Sequence, residues 1–139
     1  MLREVIHCRG HENVRATHRS TLEFTKEDYL TSRGDCILCI EADRGLNELS
    51  EEFKRALREG RKLIVRIKVN NFVDEVVAYG DPNLILDHEY SMVIRKSTHI
   101  DARTLAVRAN KAARDIDRRI VELLKNPEVT AEIGLIILD

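Results

Sequence analysis

Residues that could bind a polar ligand are densest in one stretch, positions 10–36, GHENVRATHRSTLEFTKEDYLTSRGDC. Polar and apolar types alternate over residues 13–25, which predicts one extended strand whose odd-numbered side chains share a face. Asn13, Thr17 and Glu23 lie on that face. A row of amide, hydroxyl and carboxylate groups can bond to a small polar ligand. A solvated outer face is the alternative, because Thr is common in strands of any role.

Three residues are candidates for catalysis. The carboxylates of Glu23 and Asp35 could act as general bases, and His11 could move protons near neutral pH. Arg33 and Lys96 could together hold an anion. The residues expected to bind a ligand are Asn13, Thr17, His18, Thr21, Arg33, Arg95, Lys96 and Ser97.

The histidine and cysteine spacings do not favour a metal site. His11 and His18 would lie ~23 Å apart on an extended segment, at ~3.3 Å per residue, so they cannot share a metal. Cys36 and Cys39 are three residues apart on an apolar strand, where their side chains point to opposite faces. We therefore expect no disulfide between these two cysteines, no metal and no cofactor.

Residues 101–125 show apolar positions at intervals of three and four, which predicts a long helix. Asp101 would cap its start, and Asn126-Pro127 would follow its end. Seven cations and three acids over residues 102–125 give this segment a charge of +4. Such a helix could track a phosphate backbone weakly and in a salt-sensitive way. The alternative is a solvated face with local ion pairs.

Period-two stretches predict strands elsewhere, and no internal repeat is evident. A short helix is predicted over 47–59 with Gly60 ending it. The predicted strands are 2–9, 13–25, 36–42, 62–69, 72–79, 90–95 and 132–138, with 84–87 as a candidate eighth.

Two of these strands allow sharper predictions. Asn70-Asn71 suits a two-residue hairpin turn, which pairs Val69 with Phe72 and sets Asp74 opposite Ile67 on the apolar face. Asp74 would then lie at a sheet edge, at a bulge, or in a polar site. In the predicted strand 132–138, residues 133–138 are apolar on both faces, so this strand should lie inside a sheet or in a subunit interface.

Strand-rich order without a βαβ alternation predicts one α+β domain, residues 1–139, that is mainly β. We expect an antiparallel sandwich or a partly closed barrel with two helices. The chain has 139 residues, 43% of them hydrophobic and 34% charged, which excludes a disordered protein. The formal charge of −1 excludes a histone-like surface.

The chain contains no Gln and no Trp, and charged residues are abundant, which favours a thermophilic source. There is no signal-like N-terminus and no apolar run of membrane-spanning length, so we expect a cytoplasmic protein without a membrane partner. Homo-oligomerisation is left open.

Two short motifs stand out, Gly10, His11, Asn13, Ala16, Thr17 and His18, followed by Arg33-Gly34-Asp35-Cys36. With these motifs the chain resembles an archaeal family known only as a domain of unknown function. The resemblance continues over nearly the whole chain through Leu49, Phe53, Lys54, Arg95-Lys96-Ser97, Arg103-Thr104-Leu105 and Lys111-Ala112-Ala113. The resemblance implies a jelly-roll-like β-sandwich and an archaeal source, but no activity.

Three functions follow from these patterns. The first is a small-molecule or anion-binding domain that uses residues 10–36 and 95–97, with catalysis left open. The second is a nucleic-acid or ribonucleoprotein accessory protein that uses the basic helix 102–125. The third is a structural interaction module.

Overall fold

A computed structural model describes residues 1–139 and shows two four-stranded sheets with two helices. The elements are β1 (Leu2–Arg9), β2 (Thr21–Thr25), β3 (Ile37–Cys39), α1 (Glu51–Arg58), β4 (Lys62–Val69), β5 (Phe72–Tyr79), β6 (Ser91–Arg95), β7 (Thr104–Ala106), α2 (Arg118–Leu123) and β8 (Thr130–Ile137). Sheet A has the order β1-β8-β4-β5, and sheet B has the order β3-β2-β6-β7. The predicted mainly β sandwich with two helices is confirmed.

The sheets meet at two corners without closing into a barrel. A single bridge joins Arg9 to Ile40, and another joins Tyr79 to Val107. Sheet A is antiparallel throughout, whereas β2–β3 and β6–β7 run parallel. These parallel pairs distinguish sheet B from a jelly roll, in which neighbouring strands are antiparallel.

The predicted hairpin has the predicted register. Val69 pairs with Phe72, and Asp74 lies opposite Ile67 on β5, an edge strand without a bulge. The Asp74 carboxylate is paired with Lys111 and accepts a hydrogen bond from the Asp117 backbone at 2.8 Å. An acid is therefore tolerated on the inner face because the edge lets polar partners reach it.

Strand β8 lies inside sheet A, between β1 and β4, as its apolar composition predicted. Its side chains Ile133, Leu135 and Ile137 are fully buried. They belong to the same core as Leu22 and Phe24 of sheet B. The even-numbered positions of β2 therefore face sheet A, and its odd-numbered positions lie on the opposite side of sheet B.

The chain is an internal duplication, so the expectation of no repeat was wrong. The order β1-β2-β3-α1-β4 recurs as β5-β6-β7-α2-β8. Both sheet orders are unchanged when the two halves are exchanged. The halves are interleaved, since β1 pairs with β8 and β4 pairs with β5. An approximate twofold axis therefore passes between the central strands of both sheets.

The duplication leaves traces in sequence and backbone. Three residues recur 70 positions later, since Gly10, Asn13 and His18 correspond to Gly80, Asn83 and His88, and the hydroxyl residue Thr21 corresponds to Ser91. The loop after β2 is three residues longer than the loop after β6, so the spacing is 67 from β3 to the start of α1 and 68 between β4 and β8. Ala16 and Leu86 occupy equivalent positions and both have positive φ, 48° and 59°.

The predicted helix over 101–125 is wrong. The segment contains β7, a 3-10 turn at Ala113–Asp115 and the short helix α2. Asp101 caps a turn, accepting from the Arg103 backbone at 2.9 Å. Buried residues of successive short elements produced the helical spacing. Neither helix is long and apolar enough to cross a membrane.

The predicted strand over 13–25 is wrong in its first part. Only Thr21–Thr25 is a strand, and the positive φ of Ala16 interrupts any extended run. We name residues 13–20 the first crossing loop and residues 83–90 the second. The candidate strand 84–87 lies within the second loop and is also wrong. The short helix is confirmed as α1. The Ser50 side chain caps its start by accepting a hydrogen bond from the Phe53 amide, and Gly60, with a φ of +79°, follows its end.

A disulfide joins Cys8 of β1 to Cys39 of β3, with a Cα–Cα distance of 5.6 Å. It links sheet A to sheet B beside the Arg9–Ile40 bridge. The equivalent positions in the second half are Ala78 and Ala106. Cys36 is free, so Cys36 and Cys39 are not linked to each other, as predicted.

A candidate anion-binding surface

The outer face of sheet B carries a buried polar cluster centred on Glu23, whose residue surface is 5% exposed. One carboxylate oxygen accepts from the Ser91 hydroxyl at 3.1 Å, and the other accepts from the Cys36 thiol at 3.5 Å. The Arg103 guanidinium lies 3.9 Å from the carboxylate. Both oxygens of Glu23 are thus engaged by protein groups, and its role as a general base remains a prediction.

The Cys36 thiol is held in its protonated form. Burial, reinforced by the neighbouring Glu23 carboxylate, raises the pKa of Cys36 to about 12. A nucleophilic cysteine needs a thiolate near neutral pH. Cys36 therefore acts as a hydrogen-bond donor to Glu23.

Arg95 lies at the other end of the same face and is 8% exposed. Its guanidinium donates to the Thr104 hydroxyl at 3.0 Å and to the Asp101 carboxylate at 2.9 Å. Burial opposes ionisation of Asp101, but the Arg103 N–H and the Arg95 charge together lower the pKa of Asp101. The Arg95–Asp101 ion pair therefore persists at neutral pH.

The predicted site histidines His11 and His18 hold turns at the start and the end of the first crossing loop, and His88 holds the equivalent turn of the second. His18 Nδ1 accepts from the Thr21 backbone at 3.1 Å, and His88 Nδ1 accepts from Ser91 at 3.0 Å. His11 Nδ1 similarly accepts from the Asn13 backbone at 2.9 Å. Because both halves use the equivalent histidine in the same way, His18 has a structural task whether or not it also contacts a ligand.

The structure brings together part of the predicted ligand set. The backbone amides of Thr17 and His18 both donate to the Asp35 carbonyl, at 2.9 and 3.1 Å. Thr21 is the cross-strand partner of Arg95. The neighbouring Lys96 amide donates to the Ser20 carbonyl at 2.9 Å.

Four predicted site residues lie outside this group. The His11 amide donates to the Leu124 carbonyl at 2.9 Å, and the Asn13 side chain donates to the Leu30 carbonyl at 2.7 Å. Arg33 is exposed in the loop after β2. Ser97 accepts from the His99 amide at 3.2 Å. A ligand role for each of them remains a prediction.

The first crossing loop lies beside two arginines from the second half. Arg118 donates to the Ala16 carbonyl at 2.9 Å and to the Ala113 carbonyl at 3.0 Å. The Arg114 amide donates to the His18 carbonyl at 3.0 Å. The five exposed residues brought together here, which we name the arginine surface, are Arg15, Thr17, Arg19, Arg114 and Arg118.

The positive charge of the arginine surface is largely unpaired. Asp115 is the nearest acid, 3.9 Å from Arg114, and it also lies 3.3 Å from Lys96. Arg15, Arg19 and Arg118 have no carboxylate within 4 Å. The oxygens that fix Arg118 are neutral carbonyls, which orient the guanidinium without neutralising it.

The duplication supplies an internal comparison. The Asn47 amide donates to the His88 carbonyl at 3.2 Å, which reproduces the Arg114–His18 contact. The residues equivalent to the arginine surface form an acidic surface, Ile85, Asp87, Glu89, Asn47 and Glu51. Four positive charges on one surface therefore correspond to three negative charges on the other. Since the same backbone forms with either set, the fold does not require the arginines.

Sequence reasoning missed Arg15 and Arg19 because they lay on the face of a supposed strand. Arg114 and Arg118 are two of the seven cations counted over residues 102–125, and although the predicted long helix does not exist, both reach the arginine surface. Aligning the two crossing loops through Gly10 and Gly80 would have revealed the charge contrast.

The outer face of sheet A offers a second cationic site. A hollow of about 220 Å³ lies over Gly134 and is lined by Arg3, Arg66, Lys68, Val73 and Glu132. Here the charges are mixed, since Arg66 lies 3.7 Å from Glu75 and Glu132 lies 3.7 Å from His7.

Comparisons with known proteins agree with the predicted resemblance. Residues 6–138 match the family described as a domain of unknown function, DUF371. An uncharacterized protein of Methanocaldococcus jannaschii is 52% identical over 121 residues, which cover 87% of this chain and 90% of that protein.

Proposed function

Because this chain belongs to the DUF371 family, a domain of unknown function, we propose a function from its geometry: it binds a phosphate-bearing polyanion at the arginine surface. The observation that supports the proposal is the contrast between the two halves. Arg15, Arg19 and Arg118 stand where the other half has Ile85, Glu89 and Glu51. Because the same backbone forms with other residues at these positions, the fold does not require the arginines, which supports a task other than folding.

The surface is suited to phosphate in particular. Arginine presents a planar set of donors that matches phosphate oxygens. The carbonyls of Ala16 and Ala113 hold Arg118 in place, so less side-chain entropy is lost when an anion binds. Thr17 is exposed and lies between Ala16, which Arg118 contacts, and His18, which Arg114 contacts. Its hydroxyl adds a neutral donor to the surface.

Calorimetric titration with inorganic polyphosphate tests the proposal without involving any base or sugar. The test variant replaces Arg15, Arg19, Arg114 and Arg118 with Gln. The control variant removes the same charge from the outer face of sheet A by replacing Arg3, Lys62, Arg66 and Lys68 with Gln. This pair separates a local site from a general loss of positive charge.

We expect the test variant to lose most of its affinity and the control variant to keep it. Four phosphate contacts predict a slope of about −3 in a plot of log K against log salt, which is about a 60-fold loss between 50 and 200 mM salt. Equal losses in the two variants, or a salt slope that the test variant retains, would contradict the proposal.

A further inference from the structure

The arginine surface continues into a hollow formed by β5 and α2. Arg118 belongs to both, and the other lining residues are Phe72, Arg119, Glu122 and Leu123. The cavity volume is about 530 Å³. The ring of Phe72 is half-buried and forms part of its lining. A phosphate held at Arg118 would therefore lie at the rim of an apolar recess.

Arg119 and Phe72 form a stacked pair inside this hollow. The Arg119 guanidinium carbon lies 4.6 Å from the centre of the Phe72 ring. The Asp117 carboxylate orients that guanidinium through two bonds, at 3.1 and 2.7 Å. The Arg119 side chain is 68% exposed, so one side contacts Phe72 while much of it remains open to solvent. Aromatic rings and arginine planes are the surfaces on which nucleic-acid bases stack.

The equivalent hollow in the first half lacks these features. It is lined by Leu2 in place of Phe72, Glu52 in place of Arg119 and Ala56 in place of Leu123. Its volume is about 190 Å³. The stacked pair therefore occurs only in the half where the arginine surface is adjacent.

We infer that the polyanion is a single-stranded nucleic acid, with phosphates on the arginine surface and one base in the hollow against Phe72 and Arg119. This inference rests on the proposed function and adds the class of ligand. A continuous strand fits because it presents alternating charge and planar apolar groups, which the two adjoining sites accept. A duplex would keep its bases stacked on each other and unavailable to the hollow.

Fluorescence anisotropy with a labelled single-stranded oligoadenylate tests the inference, and inorganic polyphosphate serves as the base-free ligand. Phe72→Leu introduces the residue found at the equivalent position, so the fold should persist. Arg119→Lys keeps the charge but removes the planar group. Tyr79→Leu is the matched control, because Tyr79 is a half-buried β5 aromatic under another guanidinium, that of Arg108 at 4.4 Å.

We expect Phe72→Leu and Arg119→Lys each to weaken oligoadenylate binding at least about fivefold, the lower end of base–aromatic stacking. Polyphosphate binding should be unchanged in both, and Tyr79→Leu should bind both ligands normally. Equal effects on the two ligands, or no effect of Phe72→Leu on oligoadenylate binding, would overturn the inferred base site but not the proposed polyanion binding. Failure of the unmodified protein to bind polyphosphate would overturn the proposed function.

Discussion

The disulfide between Cys8 and Cys39 links the two sheets covalently, and its removal should lower the free energy of unfolding. The second half provides the substitutions, since Ala78 and Ala106 occupy the same corner there. The double variant Cys8→Ala/Cys39→Ala therefore replaces each cysteine with a residue that this backbone position already accepts. Both sulfurs are buried, so the change leaves the surface intact.

The magnitude follows from the sequence separation of 31 residues. Closing a loop of that size in the unfolded chain accounts for about 4 kcal/mol in the chain-entropy account of disulfides. For a domain of this length, such a loss lowers the midpoint of thermal unfolding by about 10–20 °C.

Differential scanning calorimetry of the oxidised protein and the double variant measures the difference. A thiol count on the unfolded oxidised protein should find one reactive group, Cys36, and the reduced protein should show all three cysteines. The assigned disulfide is wrong if the double variant and the oxidised protein unfold at the same midpoint temperature, or if the unfolded oxidised protein shows three thiols.

Two further predictions concern a buried thiol and a close backbone contact. Cys36 should react slowly with iodoacetamide at pH 8, because its raised pKa keeps the thiol protonated. Its contribution to stability should be complete below pH 9 and fall as the pH rises toward 12. Melts at increasing pH should show this loss in the unmodified protein and not in Cys36→Ser, and an equal loss in the variant would refute the assignment. Gly80→Ala should lower stability in urea melts by at least about 1–3 kcal/mol, because the new Cβ would lie 1.9 Å from the Leu57 carbonyl oxygen. Gly134→Ala, with its nearest neighbour at 3.8 Å, is the matched control, and equal losses in the two variants would contradict the packing.

Local chemistry in the sequence was enough to predict part of the fold. Asn70-Asn71 determined a hairpin register that the structure shows residue for residue, because turn geometry and a buried face together allow only one pairing. The apolar faces of β8 placed it inside a sheet for the same reason. Gly60 marked the end of α1 because a positive φ suits glycine.

The failures arose where tertiary contacts override local pattern. Residues 101–125 have helical spacing, yet β7 pairs with β6 and a 3-10 turn follows before α2 begins. Residues 13–20 alternate like a strand, but the positive φ of Ala16 makes them a crossing loop. Nothing in the periodicity of either segment distinguishes these outcomes.

The duplication was within reach of the sequence but hidden by its spacing. Gly10, Asn13 and His18 recur with a separation of 70, whereas Ala42 and Ala109 are separated by 67. A single fixed period therefore fails across the chain. The candidate site depended on this missed feature, since the meaning of Arg15 and Arg19 comes from comparison with Ile85 and Glu89.

The most direct test of the central claim is a nitrogen–proton correlation NMR titration of the full chain with inorganic polyphosphate. Our account predicts that the amides of residues 13–20 and 113–119 shift together and saturably, while those of residues 83–90 and 46–52 stay in place. Shifts concentrated around Arg3, Arg66 and Lys68 on sheet A, or equal shifts at both crossing loops, would contradict binding at the arginine surface.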